Sequence, residues 1–339
     1  MNFFERNDQA NEFKNKILLT LPDIKPSKLR CEPDCYGISR LISRKLHLQF
    51  TPLSFVNWLH AWFSLDLEYV EQFGMDSTKK YLVATEKHEN FLKSRGKNAK
   101  AIGAPYVYVK ILDDLKITRN PGSLLVMPPH GLSYTTEKFD EAKYVQVINE
   151  LKKDFKDVVV CIHPSCIDKN HWVKSFNKIG IPFILGANLA DKNSLIRMHR
   201  IFQHFEFVTT NKIGSHVAYA AYSGCKVSIY GDYEEFKDDD LKNDLLYKAY
   251  PHVLKHNLHS GSEKKIREKY HFLFTHPKDA IDLIDWAAIE LGEKYRLPLY
   301  KLPYHLGWLP HQQLYHWLIK IIFKLNSVIN FKRFLDESN

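Results

Sequence analysis

The chain is poor in the features that mark several familiar protein classes. Among 339 residues there are five cysteines, Cys31, Cys35, Cys161, Cys166 and Cys225. That odd, scattered set is no disulfide scaffold and fits a reducing compartment. Glycine (14) and proline (15) are too scarce for a collagen-like or low-complexity chain. No apolar run reaches the ~20 residues that a spanning helix needs. The windows 51–63 and 314–331 come closest, and Lys320 and Lys324 cut the second. The opening MNFFERNDQANEFKNK is charged throughout and lacks the apolar core and small-residue cleavage site of a secretory signal, so a cytoplasmic location is expected. There is no G-x-G-x-x-G, no G-x-x-x-x-G-K-[ST] and no G-x-S-x-G. Their absence argues against a dinucleotide dehydrogenase, a P-loop NTPase and an α/β-hydrolase.

What is present is ordinary globular material, 45% apolar and 26% charged, long enough for about two domains of ~150 residues. Lysine plus arginine exceed aspartate plus glutamate by 48 − 39 = 9, which favours anionic partners. From 123 to 231 short β-rich runs alternate with helical patterns. SLLVM (123–127), DVVVCI (157–162), IPFIL (181–185), FEFVTT (205–210) and KVSIY (226–230) read as buried strands. The segments 141–155, 171–180 and 194–202 carry apolar residues at three- and four-residue spacing, as helices on a sheet do. This predicts a parallel α/β sheet whose following loops gather on one edge. Residues 79–108 read strand, helix, strand. The TRNPG segment at 118–122 is the expected domain boundary. Residues 232–265 read as a long polar loop with a helix, and 276–295 as a helix crossing back between domains. The expected division is a smaller domain at 1–118, a ligand-binding domain at 119–290, and C-terminal helices at 291–339.

Three loops on that edge carry candidate chemistry. His163 and Pro164 follow DVVVCI directly, where the imidazole can donate to a phosphate oxygen, although a polar residue also simply ends a strand. In FVTTNKIGSHVAYAAYSGCKVSIYG (207–231), Thr210, Asn211, Gly214, Ser215 and His216 lead from a strand into a helix of small residues. Its free N–H groups make an anion site, and the alternative is an ordinary N-cap. MPPHG (127–131) adds His130 and Gly131 to the same edge. Among DYEEF (232–236) an acid can accept from a ribose, or the run is a solvated loop. His252 and His256 lack the glutamate of H-E-x-x-H, and Cys31 and Cys35 lack a second pair, so no metal is expected. The stripe Leu314, Trp317, Leu318, Ile321, Ile322, Leu325, Val328, Ile329, flanked by Lys320, Lys324, Lys332 and Arg333, suits either an anionic membrane surface or docking on its own domain.

On these residues the chain resembles GT-B glycosyltransferases, which are α/β proteins with two Rossmann-like domains facing a cleft. The likeness is strongest to bacterial surface-polysaccharide enzymes using CMP- or CDP-activated donors, such as sialyltransferases, Kdo transferases and teichoic acid polymerases. It rests on His163–Pro164, on TTNKIGSHVAYAAYSGCKVSIYG, and on YLVATEKHENFLKSRGKNAKAIGAP before the linker, about residues 79–231. Asn211 and His216 stand where the family often has a hydroxyl and an acid. The resemblance implies a nucleotide-sugar donor, most simply CMP-linked, held on the second domain by His130, Gly131, His163, Pro164, Thr210, Asn211, Gly214, Ser215 and His216. It implies metal-independent transfer without a cofactor, to a glycan or lipid-linked acceptor of capsule or lipopolysaccharide type, at the inner membrane face. The general base is expected from the first domain: Glu86, then His60 or His88. Two other readings are a nucleotide-sugar epimerase, which needs paired acids, and a non-enzymatic protein binding anionic surfaces or nucleic acid. The latter has no nucleic-acid motif to support it, so no nucleic-acid partner is expected.

Overall fold

A computed structural model describes residues 3–74, 79–131, 139–168, 171–241 and 243–319. The chain is α/β, with two parallel sheets. The smaller contains β1 (Val56–Trp58), β2 (Lys80–Val83) and β3 (Ala99–Ala101), in sequential order. The larger contains β4 (Asn120–Val126), β5 (Asp157–Ile162), β6 (Phe183–Leu185), β7 (Phe205–Thr210) and β8 (Lys226–Ile229), all parallel, in the order β6-β5-β4-β7-β8. The strands are the apolar runs of the sequence. β5 is buried at every position, as a strand covered on both faces must be. Only the larger sheet is doubly wound: the chain steps outward to β6, then returns to the far side of β4. The three strands of the smaller sheet show no such reversal.

Three local expectations differ from what is observed. Asn120 and Gly122 do not break the pattern but open β4: Asn120 pairs with Phe205, and the irregular register between Asn120 and Leu124 accommodates Pro121 near the strand start. The polar stretch 232–265 is not a long loop but contains four short helices, Asp238–Leu241, Leu245–Ala249, Pro251–Ser260 and Glu263–Lys269. Asp244 caps the second, its Oδ1 accepting from the Leu246 amide at 2.8 Å, and Pro251 starts the third. In 276–295 the α-helix is confined to Ile284–Glu290, because Asp282 Oδ1 takes the Ile284 amide at 2.9 Å and starts the helix there.

The two sheets share one core, in which Trp58 and Leu82 belong to the same buried cluster as Val208 and Val227. Chain order and packing cross between them. The N-terminal helix Phe3–Thr20 lies against the larger sheet, with the Phe13 ring edge-on to Phe205 at 5.2 Å. Helix Ile284–Glu290 packs on helix Ser215–Tyr222. Beyond it the chain returns to the smaller sheet, where the Ala104 amide donates to the Leu291 carbonyl at 2.9 Å and Trp308 Nε1 to Ser54 Oγ at 2.8 Å. No described helix is long and apolar enough to cross a membrane.

Glycine is required at two joints. At Gly37 (φ 79°) a β-carbon would lie 2.0 Å from the Lys192 carbonyl oxygen, and at Gly292 (φ 71°) 1.9 Å from that of Ala84. Gly96 has a similar φ of 72° with nothing nearby. Chemical denaturation should therefore show Gly37→Ala and Gly292→Ala losing about 3 kcal/mol or more. Gly96→Ala should lose only the ~1–2 kcal/mol of left-handed backbone; equal losses at all three sites would refute the close contacts.

Candidate functional site

The reversal of strand order between β4 and β7 opens a crevice at the carboxyl edge of the larger sheet, where loops from neighbouring strands diverge. The loop after β4 carries Pro128, Pro129, His130 and Gly131. It is held from below by Trp172, fully buried, whose Nε1 donates to the Pro129 carbonyl at 3.0 Å. After β5, His163 precedes the short helix Pro164–Asp168. Its ring stacks on that of His130, centroids 3.9 Å apart and 8° from parallel. The Ser165 amide donates to His163 Nδ1 at 3.1 Å, and Ser165 Oγ lies 2.7 Å from the same nitrogen and 2.9 Å from the Gly131 carbonyl oxygen, with one proton to share between them. An amide can only donate, so Nδ1 presents its lone pair and the ring proton sits on Nε2.

After β7 the chain runs through Asn211 and Lys212 to Gly214, which is extended (φ −177°), and into helix Ser215–Tyr222, which has no side-chain cap on its first turn. Gly214 therefore serves close approach rather than an unusual φ: a β-carbon there would lie 3.0 Å from the His216 ring. His216 Nε2 is buried and has no hydrogen-bond partner among the described residues. Burial first, then the neighbouring His130, pushes both His163 and His216 down to about 3, so both imidazoles are neutral.

These loops enclose one cavity of about 510 Å³, and His130, Gly131, His163, Gly214, Ser215 and His216 all line it. Tyr36, Ser64, Leu65 and Tyr106 supply wall from the N-terminal part of the chain. The segment carrying Ser64 is fastened over the cavity: the Trp62 amide donates to Ser215 Oγ at 3.0 Å, Trp62 Nε1 to Glu290 at 2.9 Å, and Lys269 Nζ to the Ser64 carbonyl at 2.8 Å.

The other sequence candidates fall elsewhere. Pro164 starts its helix outside the cavity lining, and Thr210 and Asn211 are buried beneath it. Thr210 Oγ1 accepts the Lys212 amide at 3.3 Å, and Asn211 Nδ2 donates to the Asp232 carbonyl at 2.9 Å, so both shape the loop rather than face the cavity. Glu86 sits at the start of helix Glu86–Ser94, accepting from the Tyr295 hydroxyl at 3.1 Å, away from the cavity. His88 is buried edge-on against the stacked rings of Phe63 and Phe73. Of the three residues put forward for the base, only His60 approaches the rim. Its ring meets Tyr36 edge-on at 5.3 Å, its carbonyl accepts from the Tyr219 hydroxyl, and its Nδ1 is paired with Glu32. In 232–236 only Tyr233, Glu235 and Phe236 line the cavity; Glu235 accepts the Glu263 amide at 2.5 Å, and Asp232 pairs with Lys143. His256 pairs with Glu68 at 2.7 Å and packs on Tyr69, as does His252.

Sequence reasoning missed Lys212, whose ammonium lies 3.7 Å over the Phe236 ring and donates to the Glu234 carbonyl at 2.6 Å beside the cavity. It also missed Tyr36 and Glu32. Lys212 lies inside the highlighted loop and was legible there; Tyr36 and Glu32 carry no local signal. Comparison of the chain with family models, curated proteins and solved structures gives no match, so these residues are the whole basis for a functional reading.

The neutral imidazoles make the fold sensitive to acid. Burial pushes His88, His199 and His204 down to about 4, and His163 and His216 to about 3. Unfolded histidine titrates near 6.5, so between about pH 6.5 and 3 the unfolded chain binds more protons. Stability is complete above about pH 6.5 and falls as the pH drops. The thermal midpoint should decrease steadily from pH 7 to pH 5, and less steeply in His88→Leu; a flat wild-type profile would show the rings to be charged.

Proposed function

We propose that the cavity binds the phosphates of a nucleotide-activated sugar and that the protein is a GT-B-type glycosyltransferase. The observation that carries this reading is the convergence of His163, His216 and the uncapped start of helix Ser215–Tyr222 on one cavity at the switch point of a doubly wound sheet. The helix start offers amide donors and the positive end of its dipole to an anion. The Nε2–H of His163 is suited to donate to a phosphate oxygen as the glycosidic bond breaks and the leaving group gains charge. His216 Nε2 gains a partner once an anion arrives. Tyr233, Phe236 and Lys212 offer aromatic and cationic surface for the nucleoside. The acceptor approaches from the side of Ser64 and His60, and a surface glycan is its expected class. The carboxylates nearest the cavity, Glu235 and Asp244, cap helices through backbone amides, which favours transfer over the paired-acid chemistry of an epimerase.

Thermal shift with CMP, CDP, UDP, GDP and dTDP tests the binding step. Cytidine nucleotides at 100 times Kd should stabilise the fold by about 2.7 kcal/mol, and His163→Ala should abolish the shift while leaving the unliganded midpoint within a few degrees. Absence of a shift with every nucleotide would overturn the proposal. Release of an epimerised nucleotide sugar in the absence of acceptor would replace transfer with epimerisation.

The same reading includes a lipid-linked acceptor, reached through the C-terminal segment. Residues 310–319 are helical, and one face is docked: the His316 ring stacks on Phe55 at 3.7 Å, and Gln313 donates to the Leu53 carbonyl at 2.8 Å. Leu314, Tyr315, Trp317 and Leu318 are exposed, and residues 320–339, with the remaining lysines and Arg333, lie outside the described residues. The exposed apolar side and the basic sequence after it suit an anionic bilayer. Sedimentation with vesicles should show binding to phosphatidylglycerol-containing vesicles and little to pure phosphatidylcholine, reduced about tenfold in Trp317→Ala/Leu318→Ala. Equal binding to both vesicle types, or to neither, would remove the membrane from the proposal.

A further inference from the structure

We infer that Glu32, Cys35 and His60 form a binding site for a divalent ion of zinc type, separate from the nucleotide cavity. One ligand atom from each lies within 4.8 Å of the other two, and they are the only such group among the described residues. None of the three lines the cavity. A thiolate, an imidazole and a carboxylate together are a donor set for zinc or a neighbouring transition metal, not for magnesium or calcium, which take oxygen ligands. Around a tetrahedral ion with bonds of ~2.0–2.3 Å the ligand atoms stand about 3.5 Å apart. The carboxylate and imidazole are now in direct contact and the thiol is no more than 4.8 Å away, so small rotamer changes suffice.

The backbone under the ligands is already fixed. Glu32 and Cys35 belong to the tight turn Glu32–Gly37, broken by the extended Cys35 (φ −55°, ψ 136°) and the left-handed Tyr36 (φ 55°). The Tyr36 amide donates to the Leu189 carbonyl at 2.9 Å, and Gly37 abuts Lys192. His60 is held through its carbonyl by Tyr219. Cys35 is buried, whereas about a quarter of the His60 side chain and a third of the Glu32 side chain face solvent, which leaves a way in for the ion and a fourth position for water. Burial and the nearby Glu32 push the unliganded Cys35 thiol up; a cation between them reverses both effects. Loading would also lock the turn that sets Tyr36 in the cavity wall. The site does not depend on the transferase reading.

Cobalt serves as the probe. The full-length chain, stripped with chelator and titrated with Co²⁺, should bind one equivalent with a thiolate-to-cobalt charge-transfer band and the visible bands of a tetrahedral ion, which Zn²⁺ then displaces. Cys35→Ser should lose the charge-transfer band. Glu32→Gln should keep the band with affinity lowered about tenfold or more, and Cys31→Ser should behave as wild type. If Cys35→Ser does not fold, Glu32→Gln and His60→Gln decide: unchanged cobalt affinity in both overturns the site. No charge-transfer band in the wild type, or a band that survives in folded Cys35→Ser, does so as well. Nucleotide thermal shifts are read separately, so failure here and failure of the transferase reading are distinguishable.

Discussion

A parallel sheet delivers the ends of all its strands to the same edge, and this chain reverses its strand order once, between β4 and β7. That geometry brings residues from positions 130, 163 and 214 into one pocket although they are far apart in sequence. The helices and core clusters on both faces keep the edge rigid, and the site is built from backbone and imidazole groups aimed into a partly closed space. His163 and His216 enter that space as neutral imidazoles, beside the Lys212 ammonium in the same lining.

The second constraint is how closely the two sheets are joined. They share a continuous apolar core, and at Gly37 and Gly292 one stretch of backbone lies directly on another with no room for a side chain. The cavity wall formed by Tyr36 and Ser64 is therefore part of the same packed body as the loops it faces. The N-terminal helix adds to this by lying against the larger sheet, so sequence position is a poor guide to which sheet an element supports.

Much of the larger sheet was legible because its strands are short β-branched runs separated by amphipathic segments, and both periods survive in the sequence. The loops carrying His130, His163 and Gly214 could be singled out for the same reason, since the position after a parallel strand is itself a physical statement. What could not be read depended on contacts over long separations. Asn120 and Pro121 look like a breaker but enter β4 because the partner strand tolerates an irregular register. The run 232–265 looks like loop because its helices are too short to show a period; they are started by Asp244 and Pro251 rather than by an apolar stripe. Glu86 follows its strand in the first part of the chain, where a general base was expected, yet it lies outside the cavity lining and accepts from the Tyr295 hydroxyl, a contact over 209 residues that no local pattern announces. The grouping of Cys35 with Glu32 and His60 could not be read from its spacing to Cys31, because the histidine comes from a separate loop.

Ser215 illustrates how such tight construction couples parts that chemistry would treat separately. Its hydroxyl oxygen takes the amide of Trp62, a buried residue, and a buried amide stripped of its acceptor costs about 1–3 kcal/mol. The same oxygen atom thus stands in the chamber's lining and holds down the stretch of chain beside it, so a substitution such as Ser215→Ala would strip the Trp62 amide of its acceptor and alter wall and fastening together.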